Sequence, residues 1–255
     1  MTATPAGMSY ADYLRLDELL SAQTPLSALH DEMLFIVIHQ TKELWLKQML
    51  HELGLAIAHV ADDRFAPAYK ALARVGRIQS VMTLSWDVLS TLTPVDYLAF
   101  RDVLGTSSGF QSAQFRELEF RLGLKDERYL KHHAADSDDH ARLRAALDQP
   151  SLRGASHSAL ERAGFDLGDR SDQAVANAWL QVYRDSERWF DLYQLAEKLL
   201  DIDDGLAGWR HKHVLTVERI IGNKTGTGGS AGAPYLRSTL DKRVFPELWA
   251  LRTDL

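Results

Sequence analysis

"LHDEMLFIVIHQTKELWLKQMLHELGLAIAHV", residues 29 to 60, decides the fold. It holds no proline and carries a broad apolar stripe, so it reads as one long helix. At about 1.5 Å per residue such a helix runs roughly 45 Å. Outward from it the pattern stays helical, over about 66 to 91, 94 to 104, 111 to 122, 174 to 201 and 203 to 221. Thr93-Pro94 reads as an N-cap followed by proline at the first helical position, and Pro246 opens a last short helix to about 251. There are only seven prolines and no series of alternating runs joined by tight turns. Residues 125 to 172, charged and rich in small residues, read as short surface helices. The expected fold class is all-α: one domain over residues 1 to 255 with a peripheral small-helix insertion at 125 to 172.

Composition narrows the chemistry. A chain of 255 residues buries about 70–75% of its unfolded surface, so a large core is available. The formal charge of −6 argues against nucleic acid, whose binders carry basic patches. The absence of cysteine excludes disulfides, thiolate metal sites, iron–sulfur clusters and covalent haem attachment, and fits a reducing cytoplasm. The start "MTATPAGMSYADYL" has neither a basic nor an apolar region of a signal peptide. The longest clean apolar run, "MLFIVI", is far short of the roughly 20 residues of a membrane span, so a soluble protein is expected.

Two of the ten histidines stand out. His39 lies inside "LFIVIHQTKELWLK" with Phe35 one turn earlier on the same face. In so apolar a run it must find a hydrogen-bond partner or stay neutral, as a satisfied core residue or as one facing a ligand. His213, in "WRHKHVLTVERIIG", has Leu206, Trp209, Val217 and Ile220 as its helical neighbours and sits mid-stripe. It reads either as a core histidine bonded to a carbonyl or as the axial ligand of a non-covalent haem. His211, two residues earlier, points nearly the opposite way. His132, His133 and His140 lie near three aspartates, but on a segment with no element to fix a metal geometry. Tyr97 and Arg101 share a helix face at i, i+4, and an arginine in an apolar segment needs an anion: a ligand carboxylate, Asp96 or Asp102.

Residues 220 to 236, "IIGNKTGTGGSAGAPYL", gather five of the 16 glycines. This is not a P-loop, because Lys224 precedes the glycines instead of following them and the preceding element is a helix.

The stretches "FIVIHQTKELWLKQ", "YLAFRDVLGTSSGFQS", "WRHKHVLTVERIIG", "GTGGSAG" and "FPELW" resemble the tryptophan 2,3-dioxygenases in order and spacing. The resemblance runs from about Tyr10 to Leu255 and weakens only in 125 to 172. It implies an all-helical homotetramer, one non-covalent haem b per subunit, ferrous in the active form. The implied reaction inserts O₂ across the indole C2–C3 bond of L-tryptophan to give N-formyl-L-kynurenine. By the same resemblance His213 is the haem-iron ligand, with Trp86 and Ser108 beside the haem. His39 accepts a hydrogen bond from the indole N–H and Phe35 packs on the ring. Arg101 clamps the substrate carboxylate, Tyr97 lies next to it, and Thr227 meets the ammonium. Tyr10 and Tyr13, on an arm over residues 1 to 28, reach a neighbouring subunit's pocket. The Gly-rich loop, 222 to 234, then reads as a lid. Relatives that monooxygenate tryptophan-like substrates share the scaffold, so that outcome stands as the alternative, and a haem-binding protein without turnover is the third.

Overall fold

The computed structural model describes residues 7–255; residues 1–6, the tip of the expected arm, lie outside the described residues. Two short helices, α1 (Tyr10–Leu14) and α2 (Leu16–Ser21), lead into α3 (His30–Ala61) and α4 (Phe65–Leu89). Then follow α5 (Pro94–Phe100), α6 (Ala113–Leu122), α7 (Asp138–Asp148), α8 (Leu152–Arg162) and α9 (Asp172–Arg184). The chain closes with α10 (Phe190–Ile221), α11 (Ala233–Arg237) and α12 (Pro246–Ala250). Among the described residues there is no strand, so the class is all-α as expected.

The long apolar segment forms one uninterrupted helix of 32 residues. Its buried Glu32 accepts the backbone N–H groups of Leu26 at 2.7 Å and Ser27 at 2.8 Å, which fixes how the N-terminal segment enters α3. Thr93 caps α5 and Pro94 occupies its first turn, as read from the sequence. The expected helix over 94 to 104 tightens instead to a 3-10 turn over Arg101–Leu104, which Gly105 ends at a φ of +55°.

The sequence reading placed a break near residue 202, and the structure moves it. α10 is continuous over 32 residues, and the break lies at 185 to 189, between α9 and α10. The cluster "DIDD", 201 to 204, looks like an N-cap. Its Asp203 is used elsewhere. That carboxylate is wholly buried and accepts Val244 N–H at 3.0 Å, Phe245 N–H at 3.1 Å and Trp249 Nε1–H at 3.0 Å. It therefore caps the start of α12 across the fold, satisfying donors that no helix residue reaches. This is what the "FPELW" motif is tied to.

α3, α4 and α10 pack against one another and set the core, with Leu53, Val75 and Leu195 fully buried at their contacts. In the segment 125 to 172, α7 keeps a small cluster with Leu130 and Phe120, while α8 sends Leu152 and Leu160 into the main core.

Replacing Asp203 with alanine leaves three buried donors unpaired and should cost about 3 kcal/mol. The measurement is the urea unfolding midpoint, which should fall with little change in slope.

Candidate functional site

Beyond the main core, the N-terminal half of α3 and the C-terminal ends of α4 and α10 share a second buried cluster that includes Ile38, Leu89 and Ile220. Their side chains, with residues 107 to 119 and 226 to 239, enclose a cavity of about 260 Å³. Of the residues singled out from the sequence, Phe35, His39, Trp86, Tyr97, Ser108, His213 and Thr227 line it. Arg101 does not; it stands at the rim. Tyr10 and Tyr13, 77% and 74% exposed, lie on the surface and are not part of their own chain's cavity.

His213 lies deep in the fold, and the area it leaves exposed faces this cavity. Burial, with Lys42 and His39 adding repulsion, holds it down to about 3, so the ring is neutral. It stacks on Trp86, centroids 4.3 Å apart and planes at 10°, and Trp209 flanks it at 5.3 Å. A neutral imidazole fixed by two indoles is suited to bind a metal. His211 is exposed, as its helical position requires.

His39 faces the cavity from α3. Its Nδ1 lies 2.7 Å from the carbonyl of Phe35, and a carbonyl only accepts, so Nδ1 carries the proton. Nε2 is then a lone pair. Burial lowers His39 to about 4, partly opposed by that carbonyl, so the ring stays neutral and its free nitrogen stays an acceptor. Phe35 packs on His39 at 4.2 Å, on Tyr97 at 5.9 Å and on Phe100 at 5.8 Å, giving this end of the cavity aromatic walls. Burial raises the Tyr97 phenol above its usual range, with Arg101 partly opposing, so it remains a neutral hydroxyl.

Arg101 has no carboxylate partner among the described residues. Asp96 instead pairs with the Thr93 cap. The guanidinium donates to the carbonyl of Thr225, in the Gly-rich loop. That loop is seated on the residues before α6: Thr227 donates its hydroxyl to the carbonyl of Ser107, which leaves its oxygen lone pairs free to accept. Two glycines make this possible. A Cβ on Gly228 would stand 2.6 Å from Ser108 Cβ, and one on Gly232, at φ +66°, would meet the Lys224 carbonyl oxygen at 2.4 Å.

The sequence reading missed several groups. Lys42, one turn after His39, is 6% exposed and its ammonium has no hydrogen-bond partner. It sits over the Trp86 ring, 2.8 Å from the centroid. Burial pushes it down to about 6. Its spacing from His39 was the available signal, but a lysine there reads equally as one that snorkels to solvent. Arg116 and Arg210 share one carboxylate, Glu119, at 2.6 and 2.7 Å, and all three line the cavity.

These orphans test which group the cavity suits. Lys42 Nζ, Trp86 Nε1, Trp209 Nε1 and Arg116 Nε are buried donors in its wall without an acceptor. Buried donors in native proteins are normally paired, so the wall calls for a ligand with acceptor atoms. Apolar residues such as Leu46, Met82, Leu89 and Ile220 call for a large apolar body. A haem, an apolar macrocycle with two carboxylates, meets both demands, with His213 free to hold its iron. No cluster of three metal-ligating residues occurs among the described residues.

Comparison with known proteins agrees. The family model described as tryptophan 2,3-dioxygenase matches residues 1–178 and 167–255. A Caulobacter vibrioides protein named tryptophan 2,3-dioxygenase is 60% identical over 259 residues, covering 97% of this chain and 98% of its own. Proteins of the same name from Bacillus cereus and Bordetella parapertussis are 53% and 52% identical, covering 97% of this chain and 93% and 91% of theirs.

The unpaired lysine has a cost that can be measured. Between about 6 and its unfolded value near 10.4, the unfolded chain holds a proton that folded Lys42 lacks, so stability rises with pH across that window. Lys42→Met should therefore stabilise the haem-free protein by about 2–4 kcal/mol at pH 6. The gain should shrink toward zero near pH 10, read from urea midpoints at the two pH values.

Proposed function

The chain belongs to the tryptophan 2,3-dioxygenase family, and from that premise we propose how its cavity performs the chemistry. The protein is an oxidoreductase that opens the indole ring of L-tryptophan with O₂. The proposed product is N-formyl-L-kynurenine, the first step of tryptophan breakdown through kynurenine. The observation that carries the site assignment is His213, a neutral imidazole facing a cavity whose donors lack acceptors.

We assign haem b, bound without covalent attachment and ferrous when active, whose iron His213 would hold, with Trp86 and Ser108 beside it. Haem supplies the one-electron partner that O₂ needs to react with a closed-shell indole. The chain supplies position. His39 Nε2, its lone pair fixed by the Phe35 carbonyl, accepts from the indole N–H. Phe35 covers one face of the ring. Arg101 exchanges the Thr225 carbonyl for the substrate carboxylate, a stronger, charge-assisted partner for a planar fork. Thr227 accepts from the ammonium through the lone pairs its bond to Ser107 leaves open. Tyr97 is the neutral neighbour of Arg101 and closes the aromatic wall. Held at both ends by Arg101 and Thr227, the substrate would react at high effective concentration. His39 orients more than it removes protons, since a ring held this far below neutrality is a weak base. The loop over 222 to 234 acts as the lid that brings Thr227 onto the substrate.

A homotetramer is the proposed assembly, with Tyr10 and Tyr13 completing a neighbour's pocket. Two observations support it. The arm's tyrosines are exposed, and the central helices α3 and α4 leave Leu44, Leu55, Val81, Leu84 and Val88 on the surface. Among the described residues no helix is long and apolar enough to cross a membrane. The composition and the lack of cysteine favour the cytoplasm.

The test of function is product mass. The reduced, haem-loaded protein with L-tryptophan and O₂ should give a product two oxygen atoms heavier, with N-formylkynurenine absorbance, and His213→Ala should lose the haem. A gain of one oxygen would establish the monooxygenase alternative. A normal Soret band without product would leave only a haem binder. Arg101→Ala should raise KM for tryptophan about 10²-fold while changing KM for an analogue without the carboxylate far less, since a charge-assisted contact contributes about 1.5–3 kcal/mol.

A further inference from the structure

Lys42 and Trp86 have geometry that the reading above leaves unused. Trp86 and His213 stack with planes at 10° and centroids 4.3 Å apart, so the Trp86 face toward His213 is filled. The Lys42 nitrogen is 2.8 Å from the Trp86 centroid. No such atom fits between two rings so close, so it stands on the other face. The indole is a slab with the Lys42 nitrogen on one side and the His213 imidazole on the other. Trp209, 5.5 Å from Trp86 and 5.3 Å from His213, closes the box. Nothing else holds Lys42: its nitrogen is buried without a hydrogen bond or carboxylate.

A cation over an indole face draws on the ring's negative quadrupole. The opposite face becomes a poorer source of negative potential for whatever stacks there. His213 is that group. The positive charge also opposes the extra positive charge that iron carries in the ferric state, and it does so through a buried, weakly screened path. The two carboxylates of haem would add to the negative charge of Glu43 and Glu119 in the cavity wall and would favour the ammonium form of Lys42, which burial alone opposes.

We propose that Lys42 is a positioning residue for the iron ligand. Through the Trp86 slab it holds the His213 ring and favours the ferrous state that the reaction requires. This rests on the reading of His213 as the haem ligand.

The experiment is spectroelectrochemical titration of the haem-loaded wild type, Lys42→Met and Lys42→Arg. The methionine variant keeps the bulk and removes the charge. At a solution potential poised at the wild-type midpoint, its ferrous-to-ferric ratio should fall about tenfold, the order for one elementary charge at an effective dielectric near 20. Lys42→Arg should recover most of that loss. In a Trp86→Leu background, Lys42→Met should produce a much smaller shift. An unchanged midpoint in Lys42→Met with a normal Soret band would overturn the proposal. A shift that arginine does not recover would show packing instead of charge and overturn it too, and one that persists in full without Trp86 would overturn the relay. Failure of the underlying reading looks different: wild-type protein that takes up no haem, or His213→Ala that keeps it.

Discussion

Among the described residues His213 has no hydrogen-bond partner, and the area it leaves exposed faces the cavity. That uncommitted imidazole organises its surroundings. Desolvation keeps it neutral, so its lone pair is available instead of a positive charge. Indole rings on two sides fix its plane without using its nitrogens. The long helices exist, in this sense, to hold an incomplete interaction in place. α10 brings His213, α3 brings His39 from across the cavity, and the packed lower halves of α3, α4 and α10 supply the rigidity. Side chains that would otherwise have closed the upper core are replaced by donors that need an acceptor from outside the chain.

Both cavity histidines are neutral, yet they are prepared for opposite tasks by one difference. His39 commits Nδ1 to the Phe35 carbonyl and so presents an acceptor of fixed direction. His213 commits neither nitrogen among the described residues. The first arrangement suits recognition of an N–H group, the second suits coordination. That difference is set by a backbone carbonyl one turn away, a feature of every helix that becomes specific only where the side chain is buried enough to need it.

Much of this was legible in the sequence, and the reasons are local. Thirty-two residues without proline or alternation leave α3 no other form. The stripe around His213 followed from helical spacing alone. The end of α9 was not legible, because no proline or glycine marks 185 to 189, while the aspartates at 201 to 204 imitate a helix start. What Asp203 does instead is decided by residues 41 to 46 positions later, which no local pattern reports. Lys42 was invisible for a similar reason. Its meaning comes from Trp86 on another helix, and on sequence a lysine inside an amphipathic helix is an ordinary surface residue.

The lid proposed for the glycine-rich loop rests on its glycines and on the role that the resemblance implies for Thr227, and the loop's own bonds suggest how it would work. The rim cation Arg101 is satisfied by a carbonyl of the loop itself. A substrate carboxylate would compete for the same guanidinium, and as the charged partner it would win. Releasing Thr225 would loosen one tether of the loop while Thr227 gained a new one on the substrate ammonium. Carboxylate recognition and loop position would then be two sides of one equilibrium, not separate steps. An amino acid with both charged groups can exchange one contact for the other without leaving the loop untethered. A ligand with the indole ring alone satisfies neither group, so the loop would keep its own bonds to Arg101 and Ser107. Under that proposal, selectivity for a free amino acid would arise from the bonds the loop must give up, as well as from those the substrate makes.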